Sequence, residues 1–221
     1  MVTERRRPTL PAFFLKDRKD TALKIKRFIG GSLESNGYVL YHRVGGDCMI
    51  IDPGYVPKVF IDFVEEQQLT VKGIIATHDH HDHVGAVPAL QDRFDCPVYM
   101  HPEDGARYRG ATVPVTDGDV LMLEEEPLLI VHTPGHTRGS ICVMAEKSRV
   151  CFTGDTLFDT DLGRTDLEGG SEADMERTIR EIIAGWPNDI TIYPGHDNGC
   201  TMKKVRIWNT EYLAIAGGGK R

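Results

Sequence analysis

The chain has 221 residues, of which 40% are hydrophobic, and this length and composition predict one domain with one substantial core. Its formal net charge of −7 disfavours nucleic acid as a partner, because proteins that bind phosphate backbones usually carry a basic face. A membrane partner is not expected either, because no stretch approaches the roughly 20 apolar residues that a membrane span needs.

Both ends of the chain are predicted to lie outside the domain, which we place at residues 23–213. Residues 1–22 combine charged residues and prolines with a short apolar sequence at residues 13–15. We expect this leading arm to dock on the domain or on a second subunit of a homo-oligomer. No apolar secretory core follows the arginines near the start, so a cytoplasmic location is expected. Residues 214–221 are rich in glycine and predict a flexible tail.

The first half of the chain predicts a β-α-β arrangement. Apolar runs predict strands at residues 24–29, 38–44, 48–52, 73–77 and 97–100. Between the third and fourth of these, apolar residues recur at helical spacing over residues 59–64. The fourth strand is almost entirely apolar, and we expect it to be buried on both faces.

The second half of the chain predicts a second sheet and two more helices. Strands are predicted at residues 120–123, 128–132, 140–144, 149–153 and 190–193. One helix is expected over residues 171–184, with Ser171 as its N-cap, and another over residues 201–213. This order favours two sheets with outer helices, an αββα sandwich, over one doubly wound sheet.

The five cysteines are widely spaced and form no Cys-x-x-Cys pair. An odd number with this spacing predicts neither a disulfide framework nor a structural zinc site. Cys142 and Cys151 lie in apolar runs, where a thiol packs as a small hydrophobic group. We therefore expect reduced and mostly buried cysteines.

Four of the nine histidines fall within six residues, in the sequence Thr77-His78-Asp79-His80-His81-Asp82-His83. This cluster lies at the C-terminal end of a predicted buried strand, where open α/β architectures place their sites. Imidazole nitrogens and carboxylate oxygens are ligands for zinc, iron or manganese. The segment therefore predicts part of a metal site, and it can serve two centres if more distant residues complete them.

Three residues farther along the chain are candidates for completing the site. His136, Asp155 and His196 each come at the end of an apolar strand and directly follow a glycine. A glycine at that position permits a tight backbone path beside a metal. The candidate metal ligands are therefore His78, His80, Asp82, His83, His136, Asp155 and His196.

These residues resemble the metallo-β-lactamase superfamily, whose His-x-His-x-Asp-His signature is matched over residues 78–83. The three later candidates occur in the family's order, and the resemblance covers roughly residues 24–212. It implies an α+β or α/β fold in which two mixed sheets are flanked by helices, the four-layer αββα sandwich. The chain looks most like the short glyoxalase II-like (hydroxyacylglutathione hydrolase-like) group, through the motifs Asp52-Pro53-Gly54, Thr133-Pro134-Gly135-His136-Thr137, Gly154-Asp155 and Gly163-Arg164-Thr165-Asp166.

The resemblance also implies a ligand set and a reaction. It assigns one divalent metal ion to His78, His80 and His136 and a second to Asp82, His83 and His196, with Asp155 bridging. Two zinc ions are expected, with iron or manganese as alternatives. Such a pair shares a water, lowers its pKa and delivers hydroxide to the carbonyl of a small-molecule substrate. Asp82 and Asp155 are the predicted catalytic residues, Asp82 by orienting the hydroxide, and the predicted reaction is hydrolysis of a thioester or related ester.

Other functions remain open on the sequence. Persulfide dioxygenases resemble the chain too, and they bind one iron through the equivalents of His78, His136 and Asp155, a two-histidine, one-carboxylate face. A lactonase is a less favoured alternative. A secreted β-lactamase is disfavoured because the first residues supply no export signal. A metal-binding module without catalysis is also disfavoured, because structural sites normally close the positions that this ligand set leaves open. About 25 residues follow His196, too few for the helical part that contributes glutathione contacts in full-length hydroxyacylglutathione hydrolases.

Residues near the candidate ligands have simpler expected roles. His81 falls between ligand positions and is expected to face solvent or the surroundings of the site. Asp52 ends a strand, where it either orients a ligating imidazole or caps the turn. Arg164 and Asp166 are expected to form an ion pair that fixes the loop after Asp155.

Overall fold

The structure is a computed structural model that describes residues 22–217. The predicted leading arm falls outside the described residues except for its last residue, and residues 218–221 of the predicted tail also lie outside them. The chain is helical as far as Ala216, so the final helix extends three residues beyond the predicted end of the domain.

The first sheet has six strands and contains the β-α-β step predicted from the sequence. Its strands are β1 (Lys24–Gly30), β2 (Ser35–Tyr41), β3 (Asp47–Ile51), β4 (Thr70–Ile75), β5 (Val98–Met100) and β6 (Val113–Pro114), side by side in that order. The first three pair antiparallel, and β3 to β6 pair parallel. The sheet is therefore mixed, as the family resemblance implies.

The second sheet also has six strands. They are β7 (Val120–Leu123), β8 (Glu126–His132), β9 (Ile141–Ala145), β10 (Val150–Gly154), β11 (Thr191–Pro194) and β12 (Cys200–Thr201). In space they follow the order β12-β11-β10-β9-β8-β7, and only β10 and β11 run parallel. The parallel pair brings the C-terminal ends of β10 and β11 to one edge of the sheet.

Seven α-helices lie in the described part of the chain. They are α1 (Pro57–Glu66), α2 (His81–Val84), α3 (Val87–Phe94), α4 (Pro102–Gly105), α5 (Glu172–Arg177), α6 (Met202–Trp208) and α7 (Thr210–Ala216). Helix α5 continues through a π turn (Thr178–Ile182) and a 3-10 turn (Ile183–Gly185). Its predicted N-cap is confirmed, because Ser171 Oγ accepts a hydrogen bond from the Asp174 amide at 3.2 Å.

The last helix differs from the sequence prediction, because it is divided into two at Asn209. The side chain of Asn209 accepts a hydrogen bond from the Tyr212 amide and donates to the carbonyls of Phe158 and Asp161. It therefore caps α7 and ties it to the loop after β10. Helices α2, α3 and α4 were not predicted; α2 and α4, of four residues each, are too short to show a helical period.

The two sheets stack face to face between the helices. Alternating residues of β2 show this, because Tyr38 and Leu40 belong to the apolar cluster between the sheets, whereas Val39 packs in the cluster that contains Phe60 of α1. A third cluster lies on the outer face of the second sheet and includes Met175 of α5. Three apolar layers between four layers of structure make the αββα sandwich predicted from the sequence.

All five cysteines are buried and unpaired, which confirms their predicted state as reduced thiols. Among residues 22–217, no helix is long and apolar enough to cross a membrane.

The layer between the sheets should dominate the stability of the domain. Ile130 of β8 is fully buried there, whereas Met122 on the neighbouring strand is 55% exposed. We expect Ile130→Ala to lower the free energy of unfolding by about 2–5 kcal/mol, because it removes apolar burial and leaves a cavity. Met122→Ala should change the free energy by less than about 0.5 kcal/mol. Urea unfolding of the chelator-treated protein measures both changes, and equal losses would contradict this assignment of the core.

Candidate metal centre

The seven predicted ligands meet at one edge of the sandwich. Residues 78–83 follow the C-terminal end of β4, and His136 lies in the loop between β8 and β9. Asp155 directly follows β10, and His196 comes two residues after β11. Residues as far apart in the sequence as His78 and His196, which are separated by 118 positions, therefore come together in one site.

His78, His80 and His136 form one group of potential ligands, which we call the first trio. One nitrogen from each ring lies within 4.8 Å of the others. Nδ1 of His80 and Nε2 of His136 are 2.9 Å apart, and the ring centres of His78 and His136 are 4.9 Å apart. Three convergent imidazole nitrogens match the donor set of a zinc or iron site.

Asp82, His83 and His196 form a second group, the second trio. Nε2 of His83 lies 3.4 Å from Nε2 of His196 and 3.5 Å from Oδ2 of Asp82. The same Asp82 oxygen is 3.3 Å from Nε2 of His196. The structure therefore assembles the two ligand groups that the family resemblance implies.

Asp155 lies between the two trios. Its Oδ1 is 3.4 Å from Nε2 of His83, and its Oδ2 is 3.5 Å from Nε2 of His136 and 3.4 Å from Nε2 of His196. One carboxylate thus reaches ligand atoms of both groups, which is the placement that a bridging ligand requires.

The outer nitrogens of the second trio are held by fixed acceptors. Nδ1 of His83 lies 3.1 Å from Oδ2 of Asp52, and Nδ1 of His196 lies 2.9 Å from the carbonyl of Leu33. An imidazole that donates from Nδ1 presents the lone pair of Nε2 to a metal. Of the two roles considered for Asp52, orientation of an imidazole is therefore the one that its position supports.

The first trio is oriented in a similar way. Nδ1 of His136 lies 2.7 Å from the carbonyl of Arg164, and Nδ1 of His78 lies 3.0 Å from Oγ1 of Thr77. Thr77 Oγ1 donates in turn to Asp52 at 2.6 Å. Asp52 therefore contacts His83 directly and His78 through Thr77. Asp52 is close enough to His78 and His83 to be a ligand itself, but its oxygens already accept hydrogen bonds from Thr77 and contact Nδ1 of His83.

A metal ion fits this donor set, because two of its atoms are otherwise buried without a partner. Nε2 of His78 and Oδ1 of Asp155 are both buried and have no hydrogen-bond partner among the described residues. A buried polar atom without a partner costs about 1–3 kcal/mol, so native structures rarely leave one unexplained. Both atoms point into the site, where a cation would satisfy them.

The charges of the site favour a cation as well. Burial opposes protonation of His83, but the charge of Asp155 and the hydrogen bond and charge of Asp52 outweigh it and raise its pKa to about 9. Burial also opposes protonation of His196, but hydrogen bonds to Asp155 and Asp82 raise its pKa to about 10. Carboxylates that hold protons on these imidazoles would attract a divalent ion to the same position.

The carboxylates of the site stay ionised. Burial opposes ionisation of Asp155 and Asp82, but the neighbouring histidines outweigh it and hold the pKa of each carboxyl below its usual range. His78 behaves in the opposite way, because burial and the surrounding imidazoles hold its pKa well below the usual value for histidine. His78 is therefore neutral at pH 7 and able to bind a metal ion.

Other residues near the cluster occupy the positions expected for them. The His81 side chain is 77% exposed, and its Nε2 lies 3.1 Å from the hydroxyl of Tyr55. Arg164 and Asp166 form the predicted ion pair, with two contacts of 2.7 and 2.8 Å. His81 belongs to neither trio, which agrees with its predicted place outside the ligand set.

One group of polar residues beside the site was not predicted from the sequence. Asp104 and Arg107, in α4 and the turn that follows it, make hydrogen bonds to Thr137 and Asp79 respectively. Asp104 is 21 residues from His83, the nearest candidate ligand in the sequence, and Arg107 is farther away. No local motif marks either residue.

Comparison with known proteins shows the class of the chain. Residues 30–196 match the profile of the Metallo-beta-lactamase superfamily. The chain belongs to this superfamily, whose members are generally enzymes with metal sites.

Two relatives show how far the sequence similarity extends. The chain is 37% identical over 210 residues to an uncharacterized protein of Mycobacterium leprae, a match that covers 84% of this chain and 96% of that protein. It is 38% identical over 161 residues to the hydroxyacylglutathione hydrolase of Marinomonas, covering 72% of this chain and 60% of that protein. The second match supports the glyoxalase II-like resemblance seen in the sequence.

Three crystal structures share the fold. BLEG-1 B3 metallo-beta-lactamase has a TM-score of 0.78 and 31% identity, over 85% of this chain and 98% of that chain. ETHE1 from Myxococcus xanthus has a TM-score of 0.77 and 26% identity, over 88% of this chain and 85% of that chain. TTHA1623 in a di-iron-bound form has a TM-score of 0.70 and 27% identity, over 84% of this chain and 98% of that chain.

The close packing around Asp155 should make Gly195 irreplaceable. A Cβ added there would lie 2.1 Å from Asp155 Oδ1 and 2.6 Å from Cε1 of His83, whereas one added at Gly185 would meet no atom within 4 Å. We expect Gly195→Ala to lower the metal content per chain, because it displaces two candidate ligands, and Gly185→Ala to leave the content unchanged. Elemental analysis of both purified variants measures this, and a full metal complement in Gly195→Ala would contradict the assigned geometry.

Proposed function

We propose that the chain is a two-metal hydrolase that cleaves thioesters or related esters of a small-molecule substrate. The observation that carries this proposal is the position of Asp155, whose carboxylate reaches ligand atoms of both trios. The first trio, the second trio and Asp155 would hold the ions, with zinc the expected metal. The di-iron form of TTHA1623 supports a count of two and makes iron the main alternative metal.

The metals and the chain would divide the chemistry. Two bound divalent ions supply a water of lowered pKa and polarise a substrate carbonyl. Asp82 remains ionised, so its carboxylate can accept a hydrogen bond from the attacking water and orient it. The chain needs no serine nucleophile for this reaction, and no Gly-x-Ser-x-Gly sequence is present.

The surroundings of the centre suit a substrate with an apolar part. Leu33, whose carbonyl accepts from His196, is 52% exposed. Phe158, whose ring centre lies 6.2 Å from that of His196, is buried and contributes little exposed apolar surface. The chain spans 60% of the Marinomonas hydroxyacylglutathione hydrolase, so glutathione is not part of this proposal.

The second candidate function is that of a persulfide dioxygenase, and the similarity to ETHE1 favours it. It would use one iron held by His78, His136 and Asp155. The ring centres of the two histidines are 4.9 Å apart, and Asp155 Oδ2 is 3.5 Å from His136 Nε2, so these residues also lie together. The complete second trio favours the hydrolase, because a single iron leaves Asp82, His83 and His196 without a role.

Metal count and oxygen dependence separate the two functions. We expect protein purified without added metal to contain two equivalents of metal and to cleave a thioester under nitrogen as fast as in air. Elemental analysis and an anaerobic assay measure these properties, with a lactone as a second substrate. One equivalent of iron with oxygen uptake on glutathione persulfide would establish the dioxygenase instead.

Substitution of one predicted ligand and of one ionisable residue outside both trios tests the ligand assignment. Asp155→Ala should abolish turnover and lower metal content, because it removes the carboxylate shared by the two trios. His81→Ala, the matched control in the same cluster, should keep most of both, because that side chain faces solvent. Equal loss in the two variants would show that the cluster was assigned wrongly.

A further inference from the structure

We propose that Asp104 and Arg107 position the first trio and leave the second trio unaffected, so that the two halves of the centre have separate supports besides Asp52, which contacts both. This inference rests on the proposed two-metal function. It concerns residues that touch none of the ligand atoms and act through the loops that carry them.

Asp104 fixes the loop that carries His136. Its side chain is fully buried, and it accepts hydrogen bonds from Thr137 Oγ1 at 2.6 Å and from the Gly139 amide at 2.8 Å. Thr137 directly follows His136. A buried carboxylate is stable only when its oxygens are paired, so the loop backbone and Asp104 hold each other in place.

The loop itself is shaped to accept this carboxylate. A Cβ at Gly139 would lie 2.6 Å from Cγ of Asp104, so a side chain at that position would displace the carboxylate. Thr137 Oγ1 also lies 2.7 Å from Ser140 Oγ, which lies 3.0 Å from the Thr137 amide nitrogen. The turn after His136 is therefore built around Asp104.

Arg107 fixes the segment that carries His78 and His80. Its Nε and Nη2 contact the two oxygens of Asp79 at 2.7 and 2.6 Å, and Asp79 lies between these two histidines. A bidentate pair of this kind fixes orientation as well as distance, which a lysine cannot reproduce. The Asp79 side chain is only 9% exposed, so solvent screens the pair weakly.

Arg107 also connects the two supports. Its Nη2 lies 3.7 Å from Oδ1 of Asp104, and its Nη1 donates to the carbonyl of Glu168 at 3.1 Å. Glu168 follows Arg164 in the loop after β10, and the carbonyl of Arg164 accepts the Nδ1 hydrogen bond of His136. One arginine therefore ties together the loops that place and orient the whole first trio.

The second trio is supported by the shared Asp52 and by two contacts of its own. Asp52 contacts His83, the Leu33 carbonyl accepts from His196, and Ser35 Oγ donates to the carbonyl of Asp82 at 2.7 Å. Asp104 and Arg107 make no hydrogen bond to this trio among the contacts of the described residues. A change at either should therefore weaken one metal position selectively.

The test isolates each half of the centre with a ligand substitution. His196→Ala keeps the first trio, and His80→Ala keeps the second. Asp104→Asn and Arg107→Lys are introduced into each background, and the full-length apoproteins are titrated with zinc in competition with a chromophoric chelator. We expect zinc affinity to fall by about tenfold or more in the His196→Ala background, since residues that orient ligands typically have effects of this size, and to stay unchanged in the His80→Ala background.

Arg93→Lys serves as the matched control, because Arg93 pairs with Glu65 at an exposed site on α3 and α1. It should change zinc affinity in neither background. Thermal unfolding of each apoprotein checks the fold, and Arg107→Lys keeps the test usable if Asp104→Asn does not fold.

The outcomes distinguish the two proposals. Equal weakening in both backgrounds, or none in the His196→Ala background, would overturn the separate supports while leaving the two-metal function intact. A wild-type chain that binds fewer than two zinc ions would overturn the proposed function and this inference together.

Discussion

The geometry of the candidate metal centre depends on the burial of one carboxylate among imidazole rings. Asp155 follows a strand in the middle of the sandwich, and each of its oxygens lies within 3.5 Å of a histidine nitrogen. Such a group is costly to bury unless opposite charge surrounds it. Strand ends of both sheets bring histidines to this carboxylate, and the absence of a side chain at Gly195 leaves room for the Asp155 carboxylate.

The stacking of the two sheets makes that convergence possible. The backbone amide of Asn36 in β2 donates to the carbonyl of Gly195, in the loop of the second sheet that carries His196, at 2.7 Å. The Tyr38 hydroxyl donates to the Pro194 carbonyl at 2.6 Å. In the other direction, the Ile141 amide of β9 donates to the carbonyl of Thr77 at 2.9 Å. The sheets are therefore hydrogen-bonded to each other at the edge where the candidate ligands lie, which holds together the members of each trio that come from different sheets.

Each trio offers three candidate ligands, three histidines in the first and one aspartate and two histidines in the second, and the two trios also differ in their supports. Asp52 bears on both trios, because it contacts His83 directly and His78 through Thr77. Asp104 and Arg107 bear on the first trio alone. In the proposed two-metal centre, one carboxylate would serve both halves and another only the first, which would allow the two metal positions to differ in affinity.

Much of this protein was determined by the sequence itself. The order of the predicted strands and helices indicated the sandwich. The cluster of residues 78–83 and the glycines before His136, Asp155 and His196 are local patterns, and they predicted the seven residues that meet at the centre. The short helices were missed because four residues show no period, and the final helix was predicted as continuous because the contacts of Asn209 are with distant carbonyls.

The contacts that orient the candidate ligands become visible only in the folded structure. Asp52 and His83 are 31 residues apart, Asp79 and Arg107 are 28 apart, and Asp104 and Thr137 are 33 apart. The place of Asp52 at a strand end indicated two possible roles without deciding between them. Asp104 and Arg107 carry no signal in the sequence, because their partners depend on where the strands and loops bring them. The candidate ligands lie in short sequence motifs and can be recognised there. The residues that orient them are brought into contact with them only when the two sheets pack together.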